Sequence, residues 1–244
     1  MGKRYQVHYR IPFYETDDQG QVKLPHLLSY CLSMAGLQSE SLGISDQSLL
    51  EKYGYVWIVT DYTITIKRLP HYDETIQVIT EATAYNKFFC YRHFYINDAE
   101  GNELMVIKTI FVLMDFQTRK VQRVPETLVA PYGASYTKEM HRGAKYMLIK
   151  EGHKRLYHVR YFDLDLNGHV NNSKYLEWMY DVFEADFLRH HVPQQLTLKY
   201  VKEVQEGSDI VSRWQLENHV SHHEIISQGH ISAQAKIEWR KNDI

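Results

Sequence analysis

Three side chains that can move protons or donate hydrogen bonds fall within five residues. They are Asp165, Asn167 and His169, at i, i+2 and i+4 of Asp165-Leu166-Asn167-Gly168-His169-Val170-Asn171-Asn172. In extended or turn backbone, residues two apart project to the same side, so acid, amide and imidazole can face one reacting group. Carboxylates and imidazoles serve as general acids and bases, and amides can donate to a developing oxyanion. A further carboxylate, Glu203, follows the strand-like run Leu196–Lys202. On local sequence alone there are plainer readings. Asp-x-Asn-Gly is good turn chemistry, and Glu203, beside Lys202 and Glu206, reads first as solvent-facing.

A fainter copy of the stretch separates the turn from the chemistry. At an offset of 148, Tyr9 falls on Tyr157, Ile11 on Val159, Phe13 on Tyr161, Asp17 on Asp165, Gly20 on Gly168 and Val22 on Val170. Asp and Gly, the turn formers, occur in both copies. Gln19 and Gln21 stand where the second copy has Asn167 and His169, so the titratable imidazole belongs to the second copy alone. After the helix the offset shrinks to 134, aligning Thr63 with Thr197 and Leu69 with Glu203, again a carboxylate in one copy only.

Rival chemistries fail on specific residues. Asp163-x-Asp165-x-Asn167-Gly168 matches the first half of a calcium loop, but the twelfth position, which needs a bidentate Glu, is Lys174. The preceding His158–Phe162 alternates like a strand rather than an entering helix. No Gly-x-Ser-x-Gly elbow, phosphate-binding Gly-x-x-x-x-Gly-Lys or His-Glu-x-x-His occurs. The pairs His190-His191 and His222-His223 are adjacent, and adjacent side chains point apart, which makes them poor joint ligands. No metal or cofactor is called for.

The elements that must position these residues repeat in order. Residues 5–14 alternate as a strand, Asp17–Gly20 form a turn, and Pro25 suits the first position of a helix. Leu27, Leu28, Cys31 and Met34 recur at helical spacing up to a stop at Gly43. Four β-rich runs follow, Tyr55–Leu69, Glu74–Asn86, Phe88–Asn97 and Glu103–Phe116, separated by short turn signals. Residues 131–152, punctuated by Gly and rich in Lys and Arg, read as a linker. Then come a strand over His153–Phe162, the turn, one helix over Ser173–His190 with Asn172 as its N-cap, and strands near 195–202, 209–218, 224–228 and 231–240. A strand, a buried helix and four long antiparallel strands, twice over, predict an α+β tandem double hotdog. Each half is a long antiparallel sheet wrapped around a central helix, with halves at 1–130 and 153–244.

Composition narrows the setting. Of 244 residues, 44% are hydrophobic and 24% charged, which suits globular domains, and the net charge of −2 gives no bulk signal for nucleic acid. Cys31 and Cys90 are too few for a disulfide framework and read as buried thiols of a reducing compartment. Met1-Gly2-Lys3-Arg4 runs straight into a strand pattern with no signal peptide, and no apolar run is long enough to span a membrane. A cytoplasmic protein is expected.

These residues resemble the acyl-acyl-carrier-protein thioesterases of plants and bacteria over nearly the whole chain. Asp165-Leu166-Asn167-Gly168-His169-Val170-Asn171-Asn172 looks like that family's Asp-x-Asn-x-His-Val-Asn-Asn signature, followed by Lys174-Tyr175 and Trp178. Trp57-Ile58-Val59-Thr60, Arg68-Leu69-Pro70, Arg119 and Val124-Pro125 are similar to further landmarks. The resemblance implies hydrolysis of the thioester between a fatty acyl chain and acyl carrier protein, with catalytic Asp165, Asn167, His169 and Glu203. It makes the first half the acyl-chain specificity half, with Leu27, Leu28, Cys31, Met34, Trp57 and Val59 as candidates for lining the chain's slot, and the second half the catalytic one. Many plant members carry a Cys directly after the catalytic Glu; Val204 stands there, so no thiol nucleophile is available at that position. Water is then the expected nucleophile, with Glu203 as its base, against a rival in which Asp165 attacks and forms an anhydride. The acidic carrier protein should meet a basic patch, for which Lys138, Arg142, Lys145, Lys150, Lys154 and Arg155 are candidates. An acyl-CoA thioesterase of the same fold and a non-catalytic acyl-binding hotdog are the alternatives. A homodimer is left open.

Overall fold

The computed structural model describes residues 2–140, 143–165 and 168–242. The chain divides into two compact units, Met1–Lys23 with Leu27–Gly143 and Leu24–His26 with Ala144–Ile244.

In the first unit, β1 (Arg4–Arg10) leads through a 3-10 turn and a tight turn into α1 (Leu24–Ser41) and α2 (Asp46–Tyr53). The strands β2 (Tyr55–Ile66), β3 (Thr75–Tyr85), β4 (Phe89–Asn97) and β5 (Glu103–Asp115) follow. Short pieces close the unit: β6 (Val121–Gln122), α3 (Glu126–Val129) and β7 (Ser135–Tyr136). The sheet order is β1-β3-β4-β5-β2, antiparallel throughout, with β6 added to β5 and β7 parallel to β3. Pro25 lies in the first turn of α1 as expected. Leu27, Leu28, Cys31 and Met34 are buried in the core, where each such side chain stabilises by about 1.5–3 kcal/mol relative to exposure. A register shift between Val59 and Asp61 keeps Trp57 and Val59 on the sheet face that carries Tyr62, Ile64 and Ile66. That is the face α1 covers, since Cys31 lies close enough to the buried Tyr62 to help push its hydroxyl pKa up, after burial itself. Sequence patterning did not reveal α2. Its signals were local, a Ser45 cap accepting the Ser48 N–H at 3.2 Å and Gly54 at φ +69°.

The second unit repeats the topology. It contains β8 (His153–His158), α4 (Asn172–Tyr180), α5 (Ala185–His190), β9 (His191–Tyr200), β10 (Asp209–Glu217), β11 (Val220–Ser227) and β12 (His230–Lys241). Its sheet order is β8-β10-β11-β12-β9, the same path as β1-β3-β4-β5-β2. Helix packing repeats too. Tyr9 stacks on Tyr30 in the first unit, and Tyr157 stacks on Trp178, the same pair 148 residues on. Each unit is a long antiparallel sheet with a helix against it, and the chain is a double hotdog.

Two expectations need correction in the second unit. The single helix over Ser173–His190 is two helices. Asp181 ends α4, and its carboxylate accepts the Tyr157 hydroxyl at 2.9 Å. Phe183 then turns onto Trp239 and His223, with ring centroids 5.4 and 5.6 Å away, and Glu184 is extended before α5 begins. Ring burial thus outweighs continuation of the helix. The N-cap is Asn171 rather than Asn172: its side-chain oxygen accepts the Ser173 N–H at 3.0 Å.

Residues of the expected linker are held by both sheets in turn. Ser135–Tyr136 is β7 of the first unit. Ile149, buried on the second, donates its N–H to Glu224 at 3.2 Å and accepts from Arg213 at 2.8 Å.

Candidate functional site

The turn that precedes α4 is built from its own backbone. Leu164 and Val170 pair as an antiparallel bridge, the Asp165 N–H donates to the His169 carbonyl at 2.8 Å, and the Gly168 N–H donates to the Asp165 carbonyl at 3.0 Å. Gly168 has φ +75°, a conformation that favours glycine. The Asp165 carboxylate accepts the backbone N–H of His169 at 3.2 Å. The first unit matches nearly bond for bond. Asp17 N–H meets the Gln21 carbonyl at 2.9 Å, Gly20 N–H meets the Asp17 carbonyl at 3.1 Å, and Gln21 N–H meets the Asp17 carboxylate at 2.9 Å. One job of the aspartate is therefore to clamp the turn, which explains why it occurs in both copies.

Behind the turn, Asp163 is buried. It accepts the Arg160 N–H at 2.8 Å, lies 3.3 Å from the Arg160 guanidinium and has Lys174 3.9 Å away. A carboxylate neutralised in this way is committed to the loop, and the cation of Lys174 stands where a calcium ligand would be needed. Among the described residues, no three His, Cys, Asp or Glu side chains gather as metal ligands.

Of the expected site residues, the structure brings His169 and Glu203 together. His169 Nε2 stands 3.8 Å from Glu203 Oε2, with both side chains partly open to solvent. The gap is too long for a direct hydrogen bond. It suits a third oxygen about 2.8 Å from each. Asn167 lies outside the described residues. Leu27, Leu28, Cys31, Met34 and Val59 are buried in the first unit. Trp57 is partly buried against the cluster formed by Leu49, Tyr85, Leu113, Val124, Leu128 and Val129. Lys138, Lys145, Lys150, Lys154 and Arg155 are exposed, Arg155 pairing with Asp181; Arg142 lies outside the described residues.

Two tyrosines that sequence reasoning gave no role adjoin the site. Tyr175 accepts the Val204 N–H at 2.9 Å, one residue past Glu203. Burial pushes its hydroxyl pKa up to about 12, with the charges of Glu203 and Asp165 adding. Tyr200 donates to the Asn172 carbonyl at 2.8 Å. The signal was present in the Lys174-Tyr175 landmark, but a sequence does not say what a hydroxyl touches.

The counterpart place in the first unit is stitched shut by backbone. Val22 N–H donates to the Pro70 carbonyl at 2.8 Å, Tyr72 N–H donates to the Gly20 carbonyl at 2.8 Å, and Gln21 bridges His71. With Gln21 for His169 and buried Leu69 for Glu203, it holds neither of the two titratable groups of the pair.

Two family models match the chain, one in each unit. Residues 2–132 match the model of the acyl-ACP thioesterase N-terminal domain, and residues 146–241 match that of the C-terminal domain. A palmitoyl-acyl carrier protein thioesterase of Gossypium hirsutum is 27% identical over 195 residues, covering 76% of this chain and 46% of the relative. A dodecanoyl-[acyl-carrier-protein] hydrolase of Cinnamomum camphora is 23% identical over 95% of this chain and 66% of its own length. The chain thus spans about half the length of the first of these relatives. Among solved structures, a Lactobacillus plantarum protein assigned as an oleoyl thioesterase superposes with a TM-score of 0.93. It is 30% identical, over 100% of this chain and 98% of that one. An acyl-ACP thioesterase from Bacteroides thetaiotaomicron shares the fold at a TM-score of 0.87 and 19% identity, over 97% of this chain and 98% of that one.

Proposed function

The chain belongs to the acyl-ACP thioesterase family, and from that premise we propose that it hydrolyses the thioester of fatty acyl-acyl carrier protein, releasing free fatty acid and the carrier thiol. The observation that carries this reading is the 3.8 Å approach of His169 and Glu203, two titratable groups partly open to solvent in the second unit. Glu203 takes a proton from water as the water oxygen attacks the thioester carbonyl. His169 and Asn167 donate to the oxyanion that forms. The tetrahedral species then collapses, the carbon–sulfur bond breaks, and the departing thiolate takes a proton from the now neutral Glu203. Asp165 holds the backbone of His169 in place. Its engagement at that N–H supports direct attack by water over an aspartyl anhydride. The buried stripe Leu27, Leu28, Cys31 and Met34, with Trp57 and Val59 on β2, lines the acyl slot, which makes the first unit the specificity half. Exposed Lys145, Lys150, Lys154 and Arg155 of the second unit supply positive charge for an acidic carrier protein.

The test is turnover of acyl-carrier-protein thioesters of several chain lengths, beside acyl-CoA of the same lengths, with mass detection of the released acids. Acid release from the carrier-protein substrates is expected. Hydrolysis confined to acyl-CoA would replace the substrate class, and binding without hydrolysis would reject the enzyme reading.

A further inference from the structure

We propose that Tyr175 is a positioning residue for Glu203, acting with Tyr200 as a bracket between the start of α4 and the chain that leaves β9; the inference rests on the hydrolytic reading of the His169–Glu203 pair. Those two side chains come from segments with no regular structure in common. His169 sits in the turn before α4, and Glu203 lies three residues past the end of β9. Their separation must be fixed by whatever crosses between the two segments.

Two hydrogen bonds cross, one through a tyrosine hydroxyl from each side. From the strand side, the Tyr200 hydroxyl donates to the Asn172 carbonyl at 2.8 Å, holding the first residue of α4. From the helix side, the Tyr175 hydroxyl accepts the Val204 N–H at 2.9 Å, holding the residue after Glu203. The rings meet edge to face, with centroids 5.3 Å apart and planes at 78°. This arrangement suits aromatic pairs and stiffens both hydroxyls. Val204 is buried beneath, so the peptide that carries Glu203 is gripped by its backbone on one side and by a packed side chain on the other. Ser232 adds a third hold through its carbonyl, which accepts Val201 N–H at 2.8 Å and Lys202 N–H at 3.2 Å.

The lone pair of the Tyr175 oxygen is occupied by Val204, which leaves its O–H as a donor. Burial, with nearby Glu203 and Asp165, keeps that proton on the oxygen across the range where a carboxylate titrates. The bracket therefore fixes where Glu203 stands. A base displaced by even 1 Å loses on the order of a hundredfold in rate, so a hydroxyl that never touches substrate can still govern turnover.

Tyr175→Phe keeps the ring and removes the acceptor. The expected result is a fall in kcat of about ten- to a hundredfold with KM unchanged. Tyr200→Phe, which opens the bracket from the other side, should show the same kcat-selective loss. Glu203→Gln is measured alongside. If it keeps full activity, Glu203 is not the base, and both that assignment and the bracket fall. If Glu203→Gln is inactive while Tyr175→Phe retains wild-type kcat, the bracket alone is overturned. A loss in Tyr175→Phe carried by a rise in KM, with kcat unchanged, would also overturn it, leaving Tyr175 an ordinary core residue.

Discussion

His169 Nε2 lies 3.8 Å from Glu203 Oε2 although the two residues are separated by α4, α5 and all of β9. The approach is a product of topology. The turn before α4 and the exit from β9 come together because the helix and that strand belong to one compact unit. If this pair performs the hydrolysis, His169→Ala and Glu203→Ala each lower kcat by about 10²–10⁴-fold. Both side chains are partly exposed, so thermal unfolding should change little. Single-turnover reaction in ¹⁸O-labelled water checks the direct attack: label recovered in an enzyme carboxylate would sink it.

The acyl slot is tested at Met34, which is buried on α1. Truncating a buried Met to Ala typically costs about 2–5 kcal/mol through the cavity it leaves. If the slot runs along this face, Met34→Ala also shifts the chain-length profile toward longer acyl groups, read from the released acids. Lost stability with an unmoved profile would return Met34 to plain core.

Much of this arrangement was legible because duplication let the chain be compared with itself. Asp17 against Asp165 and Gly20 against Gly168 marked the turn, and Gln21 against His169 marked what had been added. The eight long strands were visible because alternation and β-branched residues report burial directly. The break at Asp181–Glu184 was not. It depends on Phe183 meeting Trp239 and His223 from distant strands, a tertiary gain that no helical period records. The tyrosine bracket was hidden for the same reason, since both of its hydrogen bonds span 28 or 29 residues.

Acid sensitivity should originate in part at His223. It is buried on β11, where its Nε2 pairs with the Ser221 hydroxyl at 2.8 Å, and burial pushes its pKa down to about 3. The unfolded chain, with an ordinary His, takes up a proton near pH 6.5, and the folded state refuses it until about pH 3. The unfolded state therefore binds more protons in that window. Stability is full above about pH 6.5 and falls by up to about 1.4 kcal/mol per pH unit as pH drops toward 3. Urea titrations at stepped pH on the wild type and His223→Gln measure this. The variant's acid slope should be shallower by about one proton, and identical slopes would reject the assignment.

The internal repeat allows the two duties of Asp165 to be separated by experiment. Asp17 and Asp165 make the same carboxylate contact to the N–H four residues on, at 2.9 and 3.2 Å. Asp17 has glutamine where Asp165 has His169. Removing either carboxylate by substitution with Ala deletes a charge-assisted turn bond, of a kind that stabilises by roughly 1.5–3 kcal/mol. Asp17→Ala and Asp165→Ala should therefore lower the unfolding midpoint by similar amounts. Only Asp165→Ala should lower kcat, because only there does the clamped backbone carry the imidazole that faces Glu203. Asp165→Asn keeps an oxygen that can accept the His169 N–H, so it should recover most of the lost stability and much of the activity if the clamp is the residue's whole contribution. A variant as inactive as His169→Ala, yet as stable as wild type, would instead assign the Asp165 charge a direct part in the chemistry.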